Sequence, residues 1–165
     1  MPVTVVRPVV ERIGAAIAKR LDLLTSGFSS HFIASEVVRP QRFAQYTPRD
    51  NQIVVAYGGN EAVEELSRPG NPPAMARDQT FNIYCHIMPS EKDPTAVDEY
   101  MSVVASEVVR AVSTPPANWH NFTGLSIDAV WESHEQIDSE RVSGVNVPLR
   151  VLYRTNENNP YIVRA

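Results

Sequence analysis

A single cysteine, Cys85, stands in 165 residues, which excludes an intrachain disulfide and any CxxC zinc or redox site. No apolar run approaches 18 residues, so no membrane-spanning helix is expected. Lysine and arginine number 15 against 19 acids, a net charge of −4, and they form no basic run. A protein that holds nucleic acid through its phosphates needs clustered cations, so that class is set aside. The opening residues lack the continuous hydrophobic region and small-residue cleavage site of a secretory signal. The Asn121-Phe122-Thr123 sequon would matter only in a secreted protein. Only seven glycines are present, with no GxSxG elbow, no P-loop, and a Gly58-Gly59 pair that opens no helix. Neither repeats nor low-complexity blocks occur. These absences predict one soluble domain over 1–165, with its core at about 9–155 and a C-terminal extension over 156–165.

What is present is periodic. Val10, Ile13, Ile17, Leu21 and Leu24 recur at spacings of three and four, predicting an amphipathic helix over about 8–25 that Gly27 ends. A short or edge strand is expected at 36–39, closed by Pro40. In QIVVAY, Ile53, Val55 and Tyr57 share one face and Val54 and Ala56 the other, a strand ended by Gly58-Gly59. TFNIYCHI alternates Phe81, Ile83, Cys85 and Ile87 inward against Thr80, Asn82, Tyr84 and His86.

Asp93-Pro94 then suits a helix start, with Asp as N-cap and Pro in the first turn. Val97, Tyr100, Met101, Val104, Val108, Ala111 and Val112 form its apolar stripe, and Asp98 and Glu99 are assigned to its first turn. Two strands follow. Leu125, Ile127, Ala129 and Trp131 face inward in the first, and Val145, Val147, Leu149, Val151 and Tyr153 in the second. Pro148 on the outward parity suggests an edge or a bulge. HEQIDSERVSG (134–144) joins them as a long polar connection. The predicted fold is α+β: a mainly antiparallel sheet of four to five strands against two amphipathic helices, with long hairpin loops.

Chemistry is harder to find. Adjacent strand residues point to opposite faces, so Cys85 and His86 cannot chelate one ion. His134 and Glu135 have no partner at HExxH or HxxxH spacing, and Glu135, Asp138 and Glu140 read as solvated acids rather than a catalytic carboxylate pair. Trp119-His120-Asn121-Phe122 could stack on a base or sugar, or plug the edge of the core. No cofactor, metal or catalytic residue is assigned, and the chain is not expected to be an enzyme.

The unusual feature is the polar stretch 59–78, about twenty residues between two strands where a hairpin needs few. Glu61, Glu64 and Glu65 make its first half acidic; Arg68 and Arg77 make its second half basic, with Pro69, Pro72 and Pro73 between. Such opposed charge suits head-to-tail contact between identical copies. A solvated, mobile loop is the alternative.

The order of these segments resembles the tail terminator, or tail-completion, proteins of long-tailed bacteriophages. The resemblance covers about 9–155 and rests on RIGAAIAKRLDLL, QIVVAYGGNE running into a long polar connection, ARDQTFNIYCHI, YMSVVASEVVRAV and the closing VPLRVLYRT. It implies a virion subunit, assembled in the host cytoplasm, that forms a ring, commonly a hexamer. The ring would cap the tail tube protein and dock to the head connector or neck, while DNA crosses its channel without specific binding. Glu61, Glu64, Glu65, Arg68, Arg77 and Tyr161 are the candidate subunit or tube contacts. The 59–78 stretch and the tail after Arg154 exceed the shorter members, so a neighbouring neck component fits as well. The competing reading is a soluble cellular ligand-binding or regulatory domain, with Trp119, His120 and Trp131 near a pocket.

Overall fold

Helix α1 (Val9–Leu21) forms because its apolar residues fall on one stripe: Val9, Ile13, Ile17 and Leu21 are all buried. The helix tightens to a 3-10 turn at Asp22–Thr25, which buries Leu24, and Gly27 closes it with φ at +84°. The protein is seen here as a computed structural model that describes residues 7–39, 49–87, 94–113, 128–138 and 143–163. Helix α2 (Pro94–Ser113) buries Met101, Val104, Val108, Ala111 and Val112 on the expected stripe. Its expected Asp93 cap lies outside the described residues. Asp98 and Glu99 fall beyond the first turn, which holds no acid, and Asp98 instead accepts a hydrogen bond from Gln136 Nε2 at 3.3 Å.

Seven strands are described: β1 (Glu36–Val38), β2 (Gln52–Ala62), β3 (Ala74–Ile87), β4 (Asp128–Trp131), β5 (Glu135–Asp138), β6 (Ser143–Asn156) and β7 (Asn159–Val163). They form one sheet in the order β1-β2-β3-β6-β4, with β5 and β7 also paired to β6. Every pairing is antiparallel except β1 with β2. The fold is α+β. Phe81, Ile83, Cys85, Val145, Val147, Leu149 and Val151 make the sheet's half of the core, and the stripes of α1 and α2 make the other. Cys85 and His86 do lie on opposite faces, with only Cys85 in that core.

Several expectations change. Gly58-Gly59 does not end β2; the register slips between Tyr57 and Asn60 and the strand runs on to Ala62. The two ends of the stretch 59–78 are therefore ladder, with Asn60, Glu61 and Ala62 paired to Gln79, Asp78 and Arg77, and only 63–73 connects the strands. The polar connection 134–144 is likewise a hairpin, its first limb being β5. The tail does not leave the fold, because β7 folds back onto β6. Tyr57, on the face it shares with the buried Ile53 and Val55, is 42% exposed. Its hydroxyl turns out to Glu11 and to Arg39 Nη2 at 3.0 Å, and its pKa is pushed up to about 12, first by burial and next by the Glu11 bond. Pro148 sits in an inner strand, not an edge. Its carbonyl accepts Glu132 N–H, and Trp131 pairs with Leu149 while Glu135 pairs with Asn146. The β4–β5 side thus advances one residue further than β6, and the proline's missing donor falls at that irregularity.

Near the C-terminal end of α2, Arg110 grips Glu107 through Nη2 at 2.6 Å and lies over the Phe28 ring, 4.3 Å from its centre. Glu107 is buried, and the Arg110 hydrogen bonds hold its carboxyl below the ordinary glutamate range. A depressed native pKa contributes stability above the unfolded value and loses it as pH falls through the native one. The urea midpoint should therefore fall on acidification from about pH 6 to about pH 3, and Glu107→Gln should flatten that fall.

Candidate functional site

Beyond the slip at Tyr57/Asn60 the β2–β3 hairpin continues as an arm of paired strands, its β3 limb backed by β6 as far as Ala74. Val63 N–H bonds the Ala76 carbonyl, and Arg68 and Ala74 exchange both backbone hydrogen bonds at 2.8 and 2.9 Å. Between them the chain makes one 3-10 turn, Glu64–Leu66, fixed by Ser67, whose Oγ donates to Val63 O and accepts Ala76 N–H. Arg154 of β6 donates through Nε to the Leu66 carbonyl at 3.1 Å. The arm is tied along both limbs and to the sheet, while most of 61–72 remains exposed to solvent.

Below the tip, on the sheet face away from the helices, is a cleft of about 680 Å³. Glu61, Glu64, Glu65 and Asp78 border it; Ala62, Val63, Leu66, Val130 and Leu152 give it an apolar surface. Leu66 is 42% and Val130 61% exposed. Arg150 is the cation of this lining. Its guanidinium pairs with Asp78, its Nε lies 3.5 Å from Glu132, and these carboxylates raise its pKa further, Asp78 first. Glu64 and Glu65 form no ion pair among the described residues.

The six sequence candidates separate here. Glu61, Glu64 and Glu65 meet at the cleft. Arg68 borders a hollow of about 240 Å³ with Pro69, Pro73, Met75 and Glu157. Arg77 sits on the helix-side face, donating to Asn60 Oδ1 at 3.1 Å and lining a third hollow with Val10, Tyr153 and Pro160. The acidic and basic limbs do not oppose one another as two separate faces; they are zipped together. Tyr161 lies on β7, 43% exposed, and its carbonyl accepts Arg12 Nη2 at 2.8 Å. It does not line the cleft.

Sequence reasoning missed Leu66, Val130 and Leu152. The latter two stand on the outward parity of their strands, where an apolar residue is out of place, and that was the available signal. Trp131 packs at the core edge and donates Nε1–H to Ser113 Oγ at 3.0 Å. Trp119 and His120 lie outside the described residues. His134 and Glu135 are both exposed, and no group of three His, Cys, Asp or Glu side chains placed to hold a metal occurs among the described residues. No helix among them is long and apolar enough to cross a membrane. No model of a known protein family matches the chain, and no curated protein matches it.

Proposed function

We propose that this chain is a ring-forming subunit of the neck of a long-tailed bacteriophage, a tail terminator or a component next to it, that works through protein contacts. The observation that carries the reading is the arm. A paired, hydrogen-bonded hairpin bordering an acid-edged apolar cleft is a surface suited to another protein. The element order supports it too: helix, short strand, long hairpin, helix, closing strands. In this role the ring caps the tail tube and joins it to the head connector, with Glu61, Glu64 and Glu65 at a contact and DNA passing unheld.

Native mass spectrometry and negative-stain microscopy of the purified chain, alone and with tube protein, test the reading. Rings that stop tube growth are the expected result; a strict monomer that never caps tubes sinks it. Glu64→Lys with Glu65→Lys should reduce assembly by about tenfold or more, since reversed charge at a contact is repulsive. Both residues are exposed, so the melting of the monomer should change by no more than about 0.5 kcal/mol.

A further inference from the structure

We infer that the cleft under the arm is a docking groove for a segment of a different protein, one carrying aliphatic side chains flanked by lysine or arginine. Three observations converge. Leu66 and Val130 expose 42% and 61% of their surface toward the same hollow, with Leu152 between them in the lining. At about 680 Å³ the hollow has room for a short stretch of chain with several side chains. Its border holds Glu61, Glu64, Glu65 and Asp78 against Arg150, and Arg150 is already shared between Asp78 and Glu132. An anionic ligand would be repelled, and an uncharged one would strip water from carboxylates without replacing it.

A second copy is a poorer complement. The chain carries 19 acids against 15 lysines and arginines with no basic run, so a copy of itself brings net negative charge to a border that is already acidic. The neck reading supplies the identity of the occupant, a tube or connector protein; the chemistry of the groove stands without it.

Fluorescence anisotropy with two labelled synthetic peptides tests this, one alternating leucine and lysine, the other serine and lysine at equal charge. The leucine peptide should bind about tenfold or more tightly than the serine peptide, and added salt should weaken it. Leu66→Gln should remove most of that preference, and Val130→Thr, which keeps a strand-forming residue, should reduce it with the arm's fold undisturbed. Equal binding of the two peptides, or a preference that survives both substitutions, overturns the groove. So does self-association of the chain that Leu66→Gln abolishes, since the occupant would then be a second copy. Ring formation is read separately by native mass spectrometry. A chain that forms rings but ignores the peptides keeps the neck reading and loses the groove; one that binds them but never forms rings does the reverse.

Discussion

Gly144→Ala should lower the urea midpoint by a large fraction, whereas Gly59→Ala should be almost silent. The same added methyl meets opposite surroundings at the two positions. At Gly144 on β6 a Cβ would overlap the Cys85 carbonyl oxygen and lie 3.1 Å from its carbonyl carbon and 3.3 Å from His86 Cα. Those are backbone atoms of β3, fixed by a ladder that pairs Gly144 with His86, so nothing there can swing aside. Overpacking a rigid site costs about 3 kcal/mol or more, out of a total stability of about 5–15 kcal/mol. At Gly59 nothing lies within 4 Å of the added atom. Urea denaturation of the two variants side by side gives the comparison. A Gly144→Ala protein with a native midpoint would mean that β3 and β6 can spread apart at this end.

Phe81→Ala should cost about 3–5 kcal/mol, the range for removing a buried phenyl ring from a packed core. Phe81 is fully buried in the middle of β3, its ring 5.6 Å from that of Tyr57. It belongs to the core that both helices share, and it touches the space above Gly14, where a Cβ would come within 3.1 Å of its edge. The cavity would lie between α1 and the sheet. Chemical denaturation reads the loss directly. A cost under about 1 kcal/mol would show that α1 settles into the space and that the core is softer than its burial implies.

Periodicity found those parts of the fold that have a core to report on. The stripes of α1 and α2, and the inward residues of β3 and β6, follow from alternation because each buries one face. The arm gave no such signal. Asn60, Glu61, Arg77, Asp78 and Gln79 pair in a ladder of polar residues, and a strand segment without apolar side chains carries no apolar alternation. Pro69, Pro72 and Pro73 at the tip then made the whole stretch look like loop. β5 and β7 were missed for the same reason, being short, polar or proline-containing strands held by β6. Of the two readings of Pro148, an edge or a bulge, the edge fails and an irregularity is found. Proline restricts one backbone donor, and here the accommodation is made by the neighbouring strand, which no reading of β6 by itself could reveal.

Of the candidate site, the three glutamates were legible as an acidic cluster and the cleft was not, because Val130 and Leu152 reach it from strands some seventy to ninety positions further along the chain. The arginines were legible as charge but not as direction. Which face each side chain takes depends on a register that composition does not contain.

The slip at Gly58-Gly59 decides that register. Tyr57 pairs with Phe81 on the helix side, yet Glu61, an even number of positions later, pairs with Asp78 on the other side. One additional residue has inverted the phase of everything beyond it. Regular pairing from Tyr57 onward would set Glu61 opposite Arg77 on the helix side and bring Asn60 and Ala62 round to the cleft. Deleting either glycine would instead remove the extra residue and leave Glu61 opposite Asp78. The polarity of this surface thus depends on one unpaired residue being absorbed at Gly58-Gly59, and not on the composition of the arm alone.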